Sequence, residues 1–315
     1  MKTKTKNKFK HLEKWKDTLS SCIRCGYCYE HCPFFKHTGW ESEAPRSKII
    51  TAFGFLSREL EPTKLAADKL FTCFFCMRCE AACSSGVPLT QIFIDARKDL
   101  VELGVIPNGT ISTTNKNCAR CLICIKECPH DARYYDDKIM TDSVKCKSCG
   151  ICLEVCPAGA TKIENHFGTQ KNALIKKAED FLISHKLSKA IIFACNWSYY
   201  PELQASVLPN SETKEKEYEI LVNMCGGRLE EQLLMAPLLK TAWGVMAACC
   251  PDDQCEHNGN KKAKNIIANI QKKFESIGID PKRIKLVQIP AGDKKLFQAE
   301  IDTFIDTLNQ LGPIN

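Results

Sequence analysis

The chain of 315 residues is long enough for two or three compact domains, and 44% hydrophobic residues is ordinary for a globular protein. Its 21 cysteines are an odd number, which argues against a framework of fully paired disulfides. The formal charge of +7 would suit a nucleic-acid binder, but it counts every cysteine as neutral, and thiolates that hold a metal would remove most of it.

The beginning of the chain is rich in lysine but lacks the apolar segment of a signal peptide. The lysines are Lys2, Lys4, Lys6, Lys8, Lys10, Lys14 and Lys16. They predict a solvated tail, with docking to an acidic partner or an anionic membrane surface as the alternative. The longest apolar runs, 190–195 and 245–250, fall short of the roughly 20 residues that span a bilayer. We therefore expect no transmembrane segment and a cytoplasmic location, where clustered cysteines bind metal more often than they form disulfides.

Sixteen of the cysteines form four copies of the pattern CxxCxxCxxxC. The quartets are Cys22, Cys25, Cys28 and Cys32; Cys73, Cys76, Cys79 and Cys83; Cys118, Cys121, Cys124 and Cys128; and Cys146, Cys149, Cys152 and Cys156. In a CxxC pair the thiolates converge on one metal centre, and three cysteines at this spacing hold three corners of an iron–sulfur cube. Zinc is the alternative, but four-cysteine zinc sites need two CxxC pairs rather than runs of four. The quartets therefore predict four 4Fe-4S clusters.

Two amphipathic helices are predicted in the first third of the chain. Pro45 is suited to open the first helix. Its apolar residues recur at helical spacing and predict one buried face, made of Ile49, Phe53, Leu56 and Leu60. The second helix carries Leu89, Ile92 or Phe93, Ala96 and Leu100. Gly104 and the turn at 107–109 end this pattern, so a domain boundary is expected near residue 110.

The third and fourth quartets are separated by a short polar connection, residues 131–145, with room for a turn and one or two short strands. From about residue 170, predicted strands (190–195, 218–225, 245–250 and 284–289) alternate with predicted helices. The helices are 172–186, 229–241, one carrying Ile266, Ile270, Phe274 and Ile277, and one carrying Phe297, Ile301, Phe304 and Leu308. This alternation predicts a mostly parallel sheet.

Residues 118–156 resemble bacterial two-cluster ferredoxins, with Cys128-Pro129 and the run CPAGA at 156–160 matching the family. The resemblance implies a crossed pattern, in which the fourth cysteine of each quartet binds the cluster of the other quartet. One cluster then takes Cys118, Cys121, Cys124 and Cys156, and the other takes Cys146, Cys149, Cys152 and Cys128.

The first pair of quartets resembles the helical ferredoxin domains of heterodisulfide reductase C subunits and of glycolate oxidase iron–sulfur subunits. The matching segments are 22–28, Cys32-Pro33, Pro45-Arg46, 73–83 and Gly86-Val87-Pro88. Cys83 is followed by Ser84 where the family usually has proline, which changes the loop but keeps the ligand. The resemblance implies two sets, Cys22, Cys25 and Cys28 with Cys83, and Cys73, Cys76 and Cys79 with Cys32.

Four of the remaining cysteines are expected at one edge of the predicted sheet. Cys195, Cys225 and Cys250 fall at the carboxyl ends of predicted strands, and Cys255 lies in the loop after the third. Ligands gather at that edge of an open parallel sheet, so the four thiols predict a metal cluster, with inert buried thiols as the alternative. Cys249 should point to the opposite face of its strand from Cys250 and is interpreted as a packing residue.

The segments 193–197, 225–228, 250–255 and 259–260 resemble the delta subunit of methyl-viologen-reducing hydrogenases, over about residues 189–312. The resemblance implies a 2Fe-2S centre on these four cysteines that passes electrons to the flavin subunit of a heterodisulfide reductase complex. Family members often have a further cysteine where this chain has Ser198. Gly226-Gly227 is expected either to let the backbone approach the cluster or to make a turn. Five clusters of about −2 each would bring the net charge to about −3.

The expected fold class is multidomain α+β. It comprises a helical ferredoxin domain at 1–110, a compact bacterial-type ferredoxin domain at 111–168 and an α/β domain with a mostly parallel sheet at 169–315. The expected function is single-electron transfer in a cytoplasmic heterodisulfide-reductase-like complex, of the kind that can bifurcate electrons at a flavin. The expected partners are a flavoprotein resembling the A-type flavin subunit of heterodisulfide reductase and a hydrogenase, formate dehydrogenase or other catalytic subunit, and not nucleic acid.

The chain lacks the usual motifs of a catalytic subunit, such as a dinucleotide fingerprint, a P-loop or a radical-enzyme CxxxCxxC. The family's catalytic Cys-Cys-Gly motif is also missing, because Cys249-Cys250 is followed by Pro251. The alternative function is the iron–sulfur subunit of a membrane-associated dehydrogenase for a 2-hydroxy acid or an acyl-CoA. The N-terminal quartets alone would permit it, but the C-terminal domain argues against it.

Overall fold

The computed structural model describes residues 8–107, 111–163, 171–199, 216–223, 225–291 and 293–314. The chain forms two compact units, Met1–Phe167 and Gly168–Asn315, called here unit 1 and unit 2. The predicted domain boundary near residue 110 lies inside unit 1, so both ferredoxin-like segments belong to one compact unit. The division into three domains stays a prediction. The turn at 108–109 and the lysines at 2, 4 and 6 lie outside the described residues.

Unit 1 combines eight described helices with two small antiparallel sheets. The helices are α1 (Lys16–Ser20), α2 (Pro33–Thr38), α3 (Pro45–Ser57), α4 (Lys64–Phe71), α5 (Arg78–Ala81), α6 (Leu89–Glu102), α7 (Ile123–Lys126) and α8 (Ile151–Glu154). The strands are β1 (Thr113–Thr114), β2 (Arg133–Asp136), β3 (Lys138–Thr141) and β4 (Thr161–Lys162). Strand β1 pairs with β4, and β2 forms a hairpin with β3, so the short polar connection contains the strands expected of it.

The helical core of unit 1 lies between α3, α4 and α6. On α6 the predicted face is buried, including Leu89, Ile92, Ala96 and Leu100. Burial of one such leucine or isoleucine side chain stabilises a fold by about 1.5–3 kcal/mol. This core is the base from which the cysteine loops of the first two quartets project.

The predicted face of α3 is partly wrong. The helix begins at Pro45 as expected, but it ends at Ser57 because Arg58 adopts a left-handed conformation with φ of 63°. Leu60 therefore lies beyond the helix, is 44% exposed and folds back over Gly54. The buried face of α3 is instead formed mainly by Ile49, Ala52 and Phe55.

The prediction of a loose tail is wrong for residues 8–16, although the lysines of this segment are solvent-exposed as predicted. Phe9 and Leu12 are buried, and the ring of Phe9 stacks on Phe55 with a centroid separation of 4.8 Å. The Lys14 Nζ atom lies 2.8 Å from a carboxylate oxygen of Asp95, a side chain that is almost fully buried. Two apolar side chains hidden among the lysines thus hold this segment against the helical core.

Unit 2 contains one four-stranded sheet among its described residues. Its strands are β5 (Ala190–Cys195), β6 (Tyr218–Asn223), β7 (Gly244–Cys249) and β8 (Ile284–Gln288), and its helices are α9 (Lys171–Ser184), α10 (Glu231–Met235), α11 (Gly259–Ser276) and α12 (Lys294–Leu311). The strand order is β6-β5-β7-β8, and every pair is parallel, which confirms the predicted parallel sheet.

Two predicted helices of unit 2 are longer than the observed ones. The helix expected at 229–241 is reduced to α10, because Pro237 has no N–H to continue the hydrogen-bond ladder. Helix α11 ends at Ser276, so Ile277 lies outside it and is 67% exposed. The predicted apolar face of α12, by contrast, is buried along its length.

The central strands β5 and β7 are buried on both faces, as parallel strands in a three-layer fold must be. One face packs with α9, α10 and α11, and the other packs with α12. The chain leaves β5 towards β6 and leaves β7 towards β8, in opposite directions along the sheet. This divergence creates a crevice at the carboxyl ends of β5 and β7, where ligands bind in open α/β sheets. Among the described residues, no helix is both long enough and apolar enough to cross a membrane.

Candidate iron–sulfur sites

The predicted ligands form five sets of four cysteines, called here sites I to V. Site I is Cys22, Cys25, Cys28 and Cys83; site II is Cys73, Cys76, Cys79 and Cys32; site III is Cys118, Cys121, Cys124 and Cys156; site IV is Cys146, Cys149, Cys152 and Cys128; site V is Cys195, Cys225, Cys250 and Cys255. Sites I to IV belong to unit 1 and site V belongs to unit 2.

The four CxxCxxC loops share one backbone conformation. In each loop the residues just before and just after the second cysteine have positive φ, between 51° and 82°. These pairs are Arg24 and Gly26, Phe75 and Met77, Arg120 and Leu122, and Ser148 and Gly150. Six of the eight are not glycine, and each such residue costs about 1–2 kcal/mol in this region. Left-handed residues at such positions turn successive N–H groups towards one point and form the anion-binding nests seen at iron–sulfur sites.

Backbone N–H groups donate hydrogen bonds to sulfurs in these loops. The N–H of Phe75 lies 3.4 Å from Cys73 Sγ, and the N–H of Arg120 lies 3.4 Å from Cys118 Sγ. Burial raises the pKa of Cys156, but N–H donors that include Thr161 and Ala160 outweigh it, so the pKa lies below its usual value. These donors thus stabilise the thiolate of Cys156, the form in which cysteine binds a cluster.

The structure brings the four thiols of site II into one cavity. The cavity, which with its opening to solvent contains about 370 Å³ of empty space, is lined by Cys32 together with Cys73, Cys76 and Cys79. Burial raises the pKa of Cys76 to about 12, and the nearby charges of Cys73 and Cys32 add to this rise. One cysteine of the first quartet therefore lies among three of the second.

Site IV shows the same arrangement in the compact ferredoxin segment. A cavity that with its opening to solvent contains about 330 Å³ of empty space is lined by Cys128 together with Cys146, Cys149 and Cys152. Burial raises the pKa of Cys152 to about 12, with further contributions from Cys146 and Cys128. Buried thiols of such high pKa lose their protons only when a strong cationic partner binds the sulfur in place of the proton. Both cavities therefore fit a cluster of iron ions.

Site I lies against the same helical core as site II. Cys22, Cys28 and Cys83 all pack against that core, whereas Cys25 is exposed. Burial raises the pKa of Cys28 to about 11, and the charges of Cys22 and Cys32 contribute. Cys28 of site I and Cys32 of site II are therefore close enough to influence each other.

Arg133 connects site III with site IV. This buried arginine on β2 places Nη2 3.6 Å from Cys124 Sγ and 3.4 Å from Thr161 Oγ1. Its charge also opposes the burial that raises the pKa of Cys152. No motif in the sequence marks Arg133. The only signal is a charged residue at the start of a short strand that leads away from Cys128.

Site V is assembled from three segments of unit 2, the ends of β5 and β6 and the loop after β7. Cys195 is the last residue of β5, Cys225 follows β6, Cys250 follows β7, and Cys255 ends the 3-10 helix Asp252–Gln254. A hydrogen bond from the Cys250 thiol lowers the pKa of both Cys195 and Cys255. Burial raises the pKa of Cys225 to about 12, and the charges of Cys195 and Cys255 contribute to the rise. The four thiols thus meet at the crevice between β5 and β7.

Cys249 is fully buried in the apolar core on the α9–α11 face, and the charges of Cys195, Cys225 and Cys255 add to the rise in its pKa that burial causes, so its interpretation as a packing residue stays a prediction. Gly226 packs tightly on it, because a Cβ atom there would lie 2.7 Å from Cys249 Sγ. A Cβ atom on Gly259 would lie 2.5 Å from Cys225 Sγ, so the start of α11 approaches a site V ligand directly. Gly227 donates its N–H to Cys225 Sγ at 3.4 Å, and Ser198 Oγ lies 3.2 Å from Cys195 Sγ.

These cysteine-lined cavities and loops define a fusion of iron–sulfur domains, and comparison with known families shows which ones. Residues 18–87 match the 4Fe-4S dicluster domain, and residues 139–162 match the 4Fe-4S binding domain. Residues 190–312 match the family "Methyl-viologen-reducing hydrogenase, delta subunit". The expectation of 4Fe-4S clusters is confirmed at the level of the domains, while the number of clusters and the 2Fe-2S centre stay predictions.

Individual relatives are subunits of a heterodisulfide reductase and of a probable glycolate oxidase. The chain is 31% identical over 217 residues to the A-type subunit of ferredoxin:CoB-CoM heterodisulfide reductase from Methanosarcina mazei, covering 68% of this chain and 27% of that protein. It is 32% identical over 84 residues to the C-type subunit of the same enzyme and organism, covering 27% and 47%. It is 34% identical over 80 residues to the probable glycolate oxidase iron-sulfur subunit of Bacillus subtilis, covering 25% and 18%. The alignments thus span less than half of each relative, and the chain is an iron–sulfur protein related to heterodisulfide reductase subunits.

Proposed function

We propose that this chain is an electron-transfer subunit of a heterodisulfide-reductase-like complex, with four 4Fe-4S clusters in sites I to IV and one 2Fe-2S cluster in site V. The observation that supports it best is the pair of cavities in unit 1, each lined by three cysteines of one quartet and one of another. Crossed ligation of this kind occurs in two-cluster ferredoxins, whose role is to carry single electrons.

Unit 2 and the comparisons together support the choice of a partner protein. A delta-subunit-like module with four cysteines gathered at the carboxyl edge of its sheet is suited to pass electrons to another protein. We assign it a flavoprotein partner related to the A-type subunit of heterodisulfide reductase, in a cytoplasmic complex that can include electron bifurcation at the flavin. The substrate chemistry then belongs to a separate catalytic subunit, such as a hydrogenase or a formate dehydrogenase.

Metal analysis of the whole chain, purified without oxygen, tests the cofactor content. Four clusters of four iron atoms and one of two give about 18 iron atoms per chain, with an equal number of acid-labile sulfide ions. Electron paramagnetic resonance of the reduced protein should show both 4Fe-4S and 2Fe-2S signals. Stoichiometric zinc without sulfide would contradict the proposal.

Electron delivery to a flavoprotein tests the assigned role of site V. Cys225→Ala should remove the 2Fe-2S signal and slow flavin reduction by at least tenfold, while the 4Fe-4S signals remain. The matched control is Cys249→Ala, which removes a buried thiol outside the predicted ligand set and should leave the 2Fe-2S signal unchanged. Equal loss of that signal in both variants would refute the ligand assignment.

A membrane-associated dehydrogenase is the second candidate function, and the similarity to a glycolate oxidase iron-sulfur subunit favours it. That similarity covers only a quarter of the chain and leaves unit 2 without a role. Fractionation of native cells distinguishes the two candidates. Recovery with a flavoprotein in the soluble fraction supports the first candidate, and recovery with a quinone-reducing enzyme in the membrane fraction supports the second.

A further inference from the structure

Arg97 is a fully buried arginine on α6 that contacts two cluster-binding loops at once. Its Nη1 atom donates to the carbonyl oxygen of Cys146 at 3.3 Å. Its Nη2 atom donates to the carbonyl oxygens of Cys73 and, at 2.9 Å, of Leu70. Cys73 belongs to site II in the helical segment, and Cys146 belongs to site IV in the compact segment. One guanidinium group therefore joins the two ferredoxin-like segments of unit 1.

The surroundings of Arg97 hold the guanidinium group in this position. It stacks on the rings of Phe71 and Phe75, with its central carbon 4.7 Å and 4.2 Å from the ring centroids. The Nζ atom of Lys147, next to Cys146, lies 5.6 Å from the centroid of the Phe75 ring. Phe75 itself is one of the left-handed residues of the site II loop. The loop, the arginine and the site IV segment are thus packed as one assembly.

The guanidinium group of Arg97 lies close to two cysteines. Burial lowers its pKa to about 10, and the opposing charges come from Cys73 and Cys146 rather than from a carboxylate. Arginine stays protonated at neutral pH, so a positive charge is fixed between the two sites. A fixed charge in a buried position acts more strongly on its neighbours than the same charge at the surface.

We propose that Arg97 is a shared redox-positioning residue, which raises the reduction potentials of the clusters in sites II and IV together and makes this pair the junction for electrons between the two ferredoxin-like segments. The proposal rests on the proposed function, since it assumes that both sites hold clusters. Adding one electron to either cluster adds one negative charge, and a nearby buried cation favours that state. Because the same cation contacts both loops, both potentials depend on it.

Redox titration followed by electron paramagnetic resonance tests the proposal on the full chain with its clusters. Arg97→Met removes the charge and keeps most of the side-chain volume. It should lower the reduction equilibrium constants of two clusters by about tenfold each, which corresponds to 59 mV for one electron. Cys76→Ser and Cys149→Ser identify which signals belong to sites II and IV.

Lys48→Met is the matched control. Lys48 is also a buried cation beside site II, and its charge acts on Cys32 and Cys73 but lies in the helical segment. Its replacement should shift the potential of site II alone. Arg97→Lys keeps a positive charge, so it should shift both reduction potentials less than Arg97→Met does.

The outcomes separate this inference from the proposed function. If the parent chain lacks iron and sulfide, the proposed function fails. If the parent has its clusters but Arg97→Met shifts one signal or none, only the shared role of Arg97 fails. Equal shifts in the lysine and methionine variants, or loss of iron from both, would likewise overturn it, because Arg97 would then act through the fold and not through its charge.

Discussion

Sites I to IV and site V gather four cysteines in two different ways. In unit 1 three ligands of each site lie within seven residues of sequence, on a loop whose two left-handed residues set its shape. In unit 2 only Cys250 and Cys255 share a loop, and they meet Cys195 and Cys225 because β5, β6 and β7 end at the same edge of the sheet. The comparison shows that a cluster site can be encoded in a local loop conformation or in the topology of a sheet.

The two kinds of site should therefore fail in different ways. By the crossed assignment, a site of unit 1 depends on its own loop and on one cysteine from the other quartet of its pair. Site V depends on the register of the sheet and on the close packing of the glycines beneath it. Substitutions that test ligands should act most strongly in unit 1, and substitutions that test backbone packing should act most clearly in unit 2.

The largest effect is expected from removing a crossed ligand. Cys128→Ala should abolish the cluster of site IV, because Cys128 lines that cavity with Cys146, Cys149 and Cys152. About four iron atoms per chain should be lost, as measured by iron analysis and by spectroscopy of the reduced protein. The matched variant Cys156→Ala should abolish the cluster of site III instead. If Cys128→Ala left site IV intact and emptied site III, the crossed assignment would be wrong.

An intermediate effect is expected from crowding the backbone under site V. Gly226→Ala places a Cβ atom 2.7 Å from Cys249 Sγ and should lower the free energy of unfolding by about 1–3 kcal/mol. The double variant Gly226→Ala with Cys249→Ala removes the clashing sulfur and should recover part of that loss. Thermal denaturation measured by circular dichroism compares the three variants with the parent. An additive loss in the double variant would show that Gly226 is needed for another reason.

The smallest effect is expected at Ser198. Its hydroxyl lies 3.2 Å from Cys195 Sγ and helps to lower the pKa of that cysteine, after the larger effect of Cys250. Ser198→Ala should lower the reduction potential of the site V cluster, by less than about 59 mV, because hydrogen bonds to cluster sulfurs favour the reduced state. Ser188→Ala, a change at a buried serine before the opposite end of β5, is the control and should leave the potential unchanged. An unchanged potential in Ser198→Ala would show that the hydroxyl does not act on the cluster.

The spacing of residues in the sequence is sufficient to predict those parts of a site that lie on one loop or strand. The CxxCxxCxxxC pattern predicted which cysteines share a loop, and the alternation after residue 170 predicted the parallel sheet and the gathering of Cys195, Cys225, Cys250 and Cys255 at one edge. The crossed arrangement came from resemblance to ferredoxins. The boundaries of helices were less accurate, because Arg58 and Pro237 end helices whose apolar pattern continues past them.

The sequence did not reveal the buried arginines. Arg97 and Arg133 lie on a helix and a strand where a charged residue predicts a solvent-exposed side, and only the packing of two segments explains their burial. The left-handed positions were also missed, since Phe75, Met77 and Leu122 are not residues that favour positive φ. Such features depend on contacts between distant parts of the chain, which a single sequence pattern does not contain.

The two cavities that combine cysteines of different quartets determine when a cluster site can be completed during protein synthesis. Cys32 and Cys128 each line a cavity together with cysteines of a later quartet. During synthesis a quartet therefore emerges from the ribosome before the partner that completes its site, and the first cluster of a pair cannot be finished until both quartets have been made. If the crossed sets hold the clusters, no site of a pair is complete before the second quartet of that pair has been made.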